Sequence, residues 1–142
     1  MQQSPPITFG SRQPDVDYKL RPAAYAVITR DESEVAVVKG KRGYFLPGGG
    51  CWSGETPEET VIREVREELA REVHLVRKIG DALQYFSVND KHYEMPAVFF
   101  EATFVNEPHG QGEFELLWVA LNEADQIFFH ECQAWAVRQL SR

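Results

Sequence analysis

Between Leu46 and Val73 the chain reads LPGGGCWSGETPEETVIREVREELAREV: an apolar strand end, a run of glycines, then a helix dense in carboxylates. No other stretch restricts the fold as tightly. Gly48-Gly49-Gly50 lack Cβ atoms, so the backbone there can bend sharply and approach a ligand closely. Thr56-Pro57-Glu58-Glu59 marks a helix start. Thr56 suits the N-cap, Pro57 the first helical position, and Glu59 can close a capping box. Val61, Ile62, Val65 and Leu69 recur at helical spacing and are expected to face a core.

Glu64, Glu67 and Glu68 stand at i, i+3 and i+4, which stacks them on one neighbouring face, expected to be the exposed side of the helix. Taken alone, that is the pattern of a solvated acidic face eased by Arg63, Arg66 and Arg71. The fixed spacing to the glycines and to Glu55 changes the reading. Carboxylates beside a tight glycine bend suit a hard divalent cation, which takes oxygen ligands and often bridges to phosphate.

The stretch resembles the Nudix box of the MutT-like Nudix hydrolases, G-x5-E-x7-R-E-U-x-E-E-x-G-U, where U is apolar. Gly49, Glu55, Arg63, Glu64, Val65, Glu67 and Glu68 match in register, while Ala70 replaces the glycine and Arg71 the last apolar residue. A glycine at that helix end would supply a left-handed cap. Ala70 is strained in that conformation by about 1 kcal/mol or more, so the helix is expected to run on by a residue or two.

The resemblance implies hydrolysis of a phosphoanhydride in a nucleoside diphosphate linked to a group X, with Mg²⁺ as cofactor and Mn²⁺ as a possible substitute. It implies Glu64, Glu67, Glu68 and the Gly48 carbonyl as metal ligands, with Gly49 and Glu55 in support. Arg63 would orient the carboxylates. The general base stays open between Glu64 and a glutamate ahead of the last strand, Glu113 or Glu115, with Trp118 marking that strand. Phe45, Tyr85, Phe86 and His130 could stack on or hydrogen-bond to a base, though aromatic residues in sheet proteins are also core. Lys39, Lys41 and Arg42 could reach phosphates, or be loop charge.

Signatures of the NADH pyrophosphatase, ADP-ribose and dinucleoside polyphosphate subgroups are missing. A nucleoside triphosphate pyrophosphohydrolase, with oxidised nucleotides among its candidate substrates, remains by elimination. The alternatives are a nucleotide sensor of the same fold, disfavoured by the intact acidic positions, and a diphosphate-ester isomerase, for which a compact chain has little room.

A net charge of −7 with no basic stripe argues against a nucleic-acid partner. Cys51 and Cys132 form no metal-binding spacing, and Cys51 reads as a bystander. No signal peptide or apolar run of membrane-spanning length is visible, so the expected location is cytoplasmic, as monomer or homodimer. With 142 residues, 43% of them hydrophobic, one domain over 15–142 is expected, preceded by a flexible arm over 1–14.

The remaining elements follow from pattern. Tyr18–Arg21 suits an edge strand, and Ala23–Thr29 a buried strand hairpin-paired to Glu34–Val38. Val73–Val88 reads as strand material interrupted near Gly80-Asp81, and Tyr93–Val105 as a long strand with Pro96 at an edge or bulge. A loop over 106–112 precedes a strand over Phe114–Leu121, a short helical turn and a helix over His130–Leu140. The order favours an α/β/α sandwich with a mixed, largely antiparallel sheet between helices, which is also the fold implied by the resemblance.

Overall fold

A computed structural model describes residues 5–105 and 107–140; what was expected of 1–4, 106 and 141–142 lies outside it. The strands are β1 (Ile7–Phe9), β2 (Tyr18–Leu20), β3 (Ala23–Val27), β4 (Thr29–Arg30), β5 (Glu34–Gly40), β6 (Gly43–Phe45), β7 (Gly48–Gly50), β8 (Val73–Val88), β9 (Lys91–Phe104) and β10 (Leu117–Ala120). The helices are α1 (Pro57–Leu69), α2 (Leu121–Ala124) and α3 (Glu131–Leu140).

The expected sandwich is present, with its sheet layer divided in two. One sheet runs β1-β8-β9-β3-β7, with β2 also on β9; the other runs β10-β5-β4, with β6 also on β5. Strand alternation explains how both faces are used. Ala23, Tyr25, Val27, Val35 and Val37 join one core with Ala136 and Val137 of α3. Their neighbours Ala24, Ala26, Ile28, Ala36 and Val38 join a second core with Val61, Val65 and Leu69 of α1. Each of the larger aliphatic side chains contributes on the order of 1.5–3 kcal/mol when fully buried, so both helices are fixed chiefly by apolar packing.

α1 begins as its sequence dictates: Glu59 N–H donates to Thr56 Oγ1 and Thr56 N–H to Glu59 Oε1, closing the capping box. Its end corrects the expectation of a longer helix. It stops at Leu69, and Ala70 turns left-handed, with φ 55° and ψ 38°. The cause lies in the loop before β10. Backbone N–H groups of His109, Glu113 and Phe114 donate to the carbonyls of Ala70, Glu67 and Glu68, at 2.8, 3.1 and 2.9 Å. These bonds satisfy helix-end carbonyls, and further helical turns would have to displace the loop. Gly112 permits the docking, since a Cβ there would run into the Glu68 carbonyl.

Several strand expectations need correction. Within the stretch expected to be an arm, β1 pairs in parallel with β8 through Ile7, Thr8 and Phe9. The hairpin to β5 is made only by β4, whereas β3 lies between β9 and β7. Burial of all five β3 residues requires covered faces on both sides, which that central position provides. Pro96 stands inside β9, opposite Leu83, rather than at an edge or bulge. On its other side β9 pairs with β2 through Glu94 and with β3 from Ala97, so Pro96 falls in a gap between ladders. The β8–β9 register shifts lie at Leu75/Arg77 and Lys78/Gly80, and β8 continues through them. β10 starts at Leu117 because residues 113–114 are bonded to α1 instead.

Candidate active site

The glycine bend becomes β7, which lies against β3 and beneath α1. A Cβ on Gly49 would sit 2.8 Å from the Glu64 carboxyl carbon, so any other residue there would have to displace the Glu64 carboxylate. Gly48 meets Glu68 through its amide: Gly48 N–H donates to Glu68 Oε1 at 2.9 Å. Sequence reasoning assigned the Gly48 carbonyl to the site; the contact made with the helix is the N–H.

Arg63 ties the cluster together. Its Nε and Nη2 donate to Glu55 at 2.7 and 3.0 Å, a bidentate pair, and Nη2 also donates to the Gly50 carbonyl at 3.0 Å. Nη1 donates to Glu64 Oε1 at 2.8 Å and reaches Glu67 at 3.4 Å. The Trp52 ring covers the guanidinium at 3.7 Å. Glu55 also accepts from Trp52 N–H and Thr60 Oγ1, closing the loop onto the helix. Arg63, with those backbone and hydroxyl donors, holds Glu55 down at about 2. A fork of this kind fixes direction as well as charge.

The three helix carboxylates are not equivalent. Glu67 is exposed, Glu64 is partly covered and Glu68 is 7% exposed, which corrects the expectation that all three lie on the open side. Burial pushes the Glu68 carboxyl up to about 8, against the pull of the Gly48 amide, and the charges of Glu64, Glu113 and Glu67 raise it further. Burial also raises Glu64, opposed by Arg63. Glu113 is thus within electrostatic reach of both Glu64 and Glu68, delivered by its backbone bond to Glu67. Glu115 has no such connection: it is exposed and does not figure among the charges acting on Glu64 or Glu68.

Among the described residues no three acidic, histidine or cysteine side chains stand gathered as a ready metal cage. The carboxylates rest instead on Arg63 and the Gly48 amide. The donor set still suits a hard divalent cation. It consists of carboxylate oxygens, and Glu68 is held in an environment where its negative charge is costly without a positive partner.

Against Gly48, Gly49 and Glu68 opens a cavity of about 430 Å³, within the roughly 300–1,000 Å³ of small-molecule sites. Phe45, Phe86, Tyr93, Phe129 and His130 supply aromatic wall, and Arg21, Arg42 and Lys91 supply positive charge. Phe45 and His130 were expected there. Tyr85 is not in the wall: successive strand residues face opposite ways, so Phe86 enters the cavity while Tyr85 packs edge-on to Tyr18. Arg42 lines the cavity, Lys39 lies over the Tyr44 ring at 5.8 Å, and Lys41 is outside. Burial, helped by Arg21, pulls His130 down to about 4, so its imidazole is neutral at neutral pH. Its Nδ1 has no hydrogen-bond partner among the described residues.

Sequence reasoning missed Arg21, Tyr93, Lys91 and Phe129 as wall residues. Arg21-Pro22 was a usable signal, because a residue before proline is pushed out of helical conformation and marks a break. Cys51 lies half-buried in the bend, and Cys132 is buried, its thiol pushed up to about 12. No helix among the described residues is long and apolar enough to cross a membrane.

Comparison with known proteins bears on the same residues. The profile of the NUDIX domain matches residues 19–139. A Mycobacterium tuberculosis protein named "Putative 8-oxo-dGTP diphosphatase 3" is 35% identical over 88 residues, 60% of this chain and 41% of that relative. The chain therefore spans well under two thirds of the curated relative it matches. A MutT NUDIX hydrolase structure from Burkholderia pseudomallei is 27% identical, with TM-score 0.66 over 85% of this chain and 98% of that one. A NUDIX hydrolase structure from Nitrosomonas europaea has TM-score 0.71 at 16% identity, over 85% and 88% of the two chains, and speaks for the fold alone.

Proposed function

Since this chain belongs to the NUDIX domain family and is a MutT-like Nudix hydrolase, we propose that it is a Mg²⁺-dependent nucleoside triphosphate pyrophosphohydrolase. Members of this family act on small nucleotide derivatives and generally use divalent metal ions. The observation that carries the reading is contiguity: Glu68 of the carboxylate helix and Gly48-Gly49 of the bend form part of the wall of the aromatic cavity. A base held by Phe45, Phe86 and His130 would extend its phosphates directly onto the carboxylates. The name of the Mycobacterium tuberculosis relative supports including oxidised triphosphates among the substrates.

In this reading Glu64, Glu67 and Glu68 hold the cation, with Glu113 beside them. When bound, the ion supplies positive charge that offsets the phosphate oxygens and increases the acidity of water. Arg63 keeps Glu55 and Glu64 in place. The water oxygen bonds to a phosphorus, the bridging P–O bond breaks, and pyrophosphate and nucleoside monophosphate separate. The water proton passes to a carboxylate, Glu64 or Glu113; their mutual electrostatic contact supports Glu113 over Glu115.

The test is a panel of ordinary and oxidised triphosphates, ADP-ribose, nucleotide sugars, dinucleoside polyphosphates and a phosphomonoester, with Mg²⁺. A triphosphate is expected to be cleaved and the phosphomonoester left almost untouched. Glu64→Gln and Glu68→Gln are each expected to lower kcat by about 100-fold or more, and Cys51→Ser to change little. Tight nucleotide binding with no cleavage of any panel member would replace this reading with a sensor.

A further inference from the structure

Leu46 and Pro47 carry the chain from β6, which pairs with β5, to β7, which pairs with β3. Between two ladders a backbone N–H has no strand to bond to, and a buried one left unpaired is costly. Pro47 has no N–H, and its carbonyl accepts from Ala26 N–H at 2.8 Å. The Leu46 N–H is met from 87 positions away: it donates to Gln133 Oε1 at 2.6 Å. Leu46 and Gln133 are both fully buried. The orientation of the Gln133 amide follows, since only its oxygen can accept. Two residues after Leu46, the Gly48 N–H reaches Glu68.

Gln133 stands on the first turn of α3, and the residues just before that helix are cavity wall. Phe129 and His130 line the cavity together with Phe45, and each of their rings lies 5.7 Å from the Phe45 ring. Phe129 N–H donates to the Tyr44 carbonyl at 3.0 Å, and Gln133 N–H to the His130 carbonyl at 3.1 Å. His130, Gln133 and Leu46 therefore make an unbroken hydrogen-bonded line from the cavity to the start of the bend. That line contains slack. Among the described residues, the buried side-chain atoms without a hydrogen-bond partner are His130 Nδ1 and Gln133 Nε2, three positions apart. A turn short of two hydrogen bonds is held less firmly than the strands beside it, so a ligand packed on it has something to tighten.

We propose that Gln133 is a positioning residue that couples the aromatic cavity to the glycine bend. A base seated against Phe45, Phe129 and His130 fixes the turn before α3, and the Gln133 amide passes that constraint to Leu46 and, through Pro47, to Gly48. This rests on the reading above in which the cavity holds the base. Recognition at one end of the site then sets the backbone at the other.

The experiment follows backbone amides of ¹⁵N-labelled protein by NMR, in chelator, during titration with the four deoxynucleoside monophosphates and 8-oxo-dGMP. Wild type is compared with Gln133→Met, which keeps the length and loses the acceptor, with Gln133→Glu, which keeps an acceptor oxygen, and with Gln139→Met on the same helix. Without ligand, Gln133→Met is expected to speed exchange of the Leu46 amide by about 5-fold or more, with α1 amides unchanged. Gln133→Glu should recover part of this, and Gln139→Met should match wild type. A bound monophosphate should shift the Phe129 and His130 amides in wild type and Gln133→Met alike, but the Gly48 amide in wild type alone. With a triphosphate and Mg²⁺, Gln133→Met should lower kcat by about 10-fold and leave KM within about 2-fold. Melting curves verify folding; should Gln133→Met be unfolded, Gln133→Asn, which draws the amide back by one methylene, takes its place. A Gly48 shift that persists in Gln133→Met would mean that Phe45 carries the signal along the chain, and would overturn the coupling. Unchanged Leu46 exchange, or equal effects in Gln139→Met, would overturn it as well. If no monophosphate moves Phe129 or His130 in wild type, the base seat falls and the coupling with it. If they move while Gly48 does not, the base seat stands and the coupling falls. If every amide behaves as expected while no triphosphate is hydrolysed, the coupling stands and the activity reading falls.

Discussion

A proton on Glu68 is the most sensitive reporter of this site. Its folded-state value, near 8, lies well above the 4.5 of an unperturbed glutamate. Across that interval the folded chain keeps a proton that the unfolded chain has released, so stability falls as pH rises. His130 has the opposite sign: depressed from 6.5 to about 4, it removes stability as pH falls through that range. The Glu68 contribution is therefore cleanest from about pH 6.5 to 8. In chelator, the melting temperature of wild type is expected to drop across that window, and Glu68→Gln to flatten the slope. A slope that survives the substitution would assign it to another group. Mg²⁺ should also flatten it, because a cation favours the ionised carboxylate. The sequence made the three glutamates legible but not their ranking. Glu67 and Glu68 are one helical step apart, about 100°, and the docking angle of α1 decides which of them is buried. That angle is set by Val61, Val65 and Leu69 against the sheets, a packing outcome with no local signature.

At the scale of elements, the end of α1 offers the sharpest test. Ala70 adopts a left-handed conformation that costs an L-residue about 1–2 kcal/mol. Glycine would remove that strain but gain freedom in the unfolded chain, which offsets roughly 0.5–1 kcal/mol. Ala70→Gly is thus expected to stabilise by about 0.5–1 kcal/mol, read as a higher denaturant midpoint at unchanged slope. A lower midpoint would mean that Cβ contacts of Ala70 outweigh the strain. The capping box, both main helices and strands such as β3 and β5 were readable because periodicity and cap chemistry are local. Partners were not. β1 is three residues long and owes its order to β8, more than seventy positions away in sequence. The left-handed turn at Ala70 likewise depends on His109, Glu113 and Phe114, which no window around the helix contains.

For the whole molecule, the proposed metal site would link binding to folding. A ligand of the native state alone stabilises by mass action, about 2.7 kcal/mol at a hundred times its Kd. Mg²⁺ is therefore expected to raise the melting temperature of wild type and to leave unchanged a variant with glutamine at 64, 67 and 68. An equal rise in that variant would move the cation elsewhere. The carboxylate positions were legible as a contiguous pattern, whereas the cavity wall is assembled from β5, β6, β8, β9 and the turn before α3, so no single stretch announced it. That division has a consequence for descent. The segment that supplies the carboxylates meets the cavity only at Gly48, Gly49 and Glu68, and the aromatic wall is encoded elsewhere. On the proposed reading, substitutions at Phe45, Phe86 or Phe129 would change which base is admitted while the carboxylate helix is left as it was. What such a chain cuts and how it cuts are then heritable as two traits, free to drift at different rates within one gene.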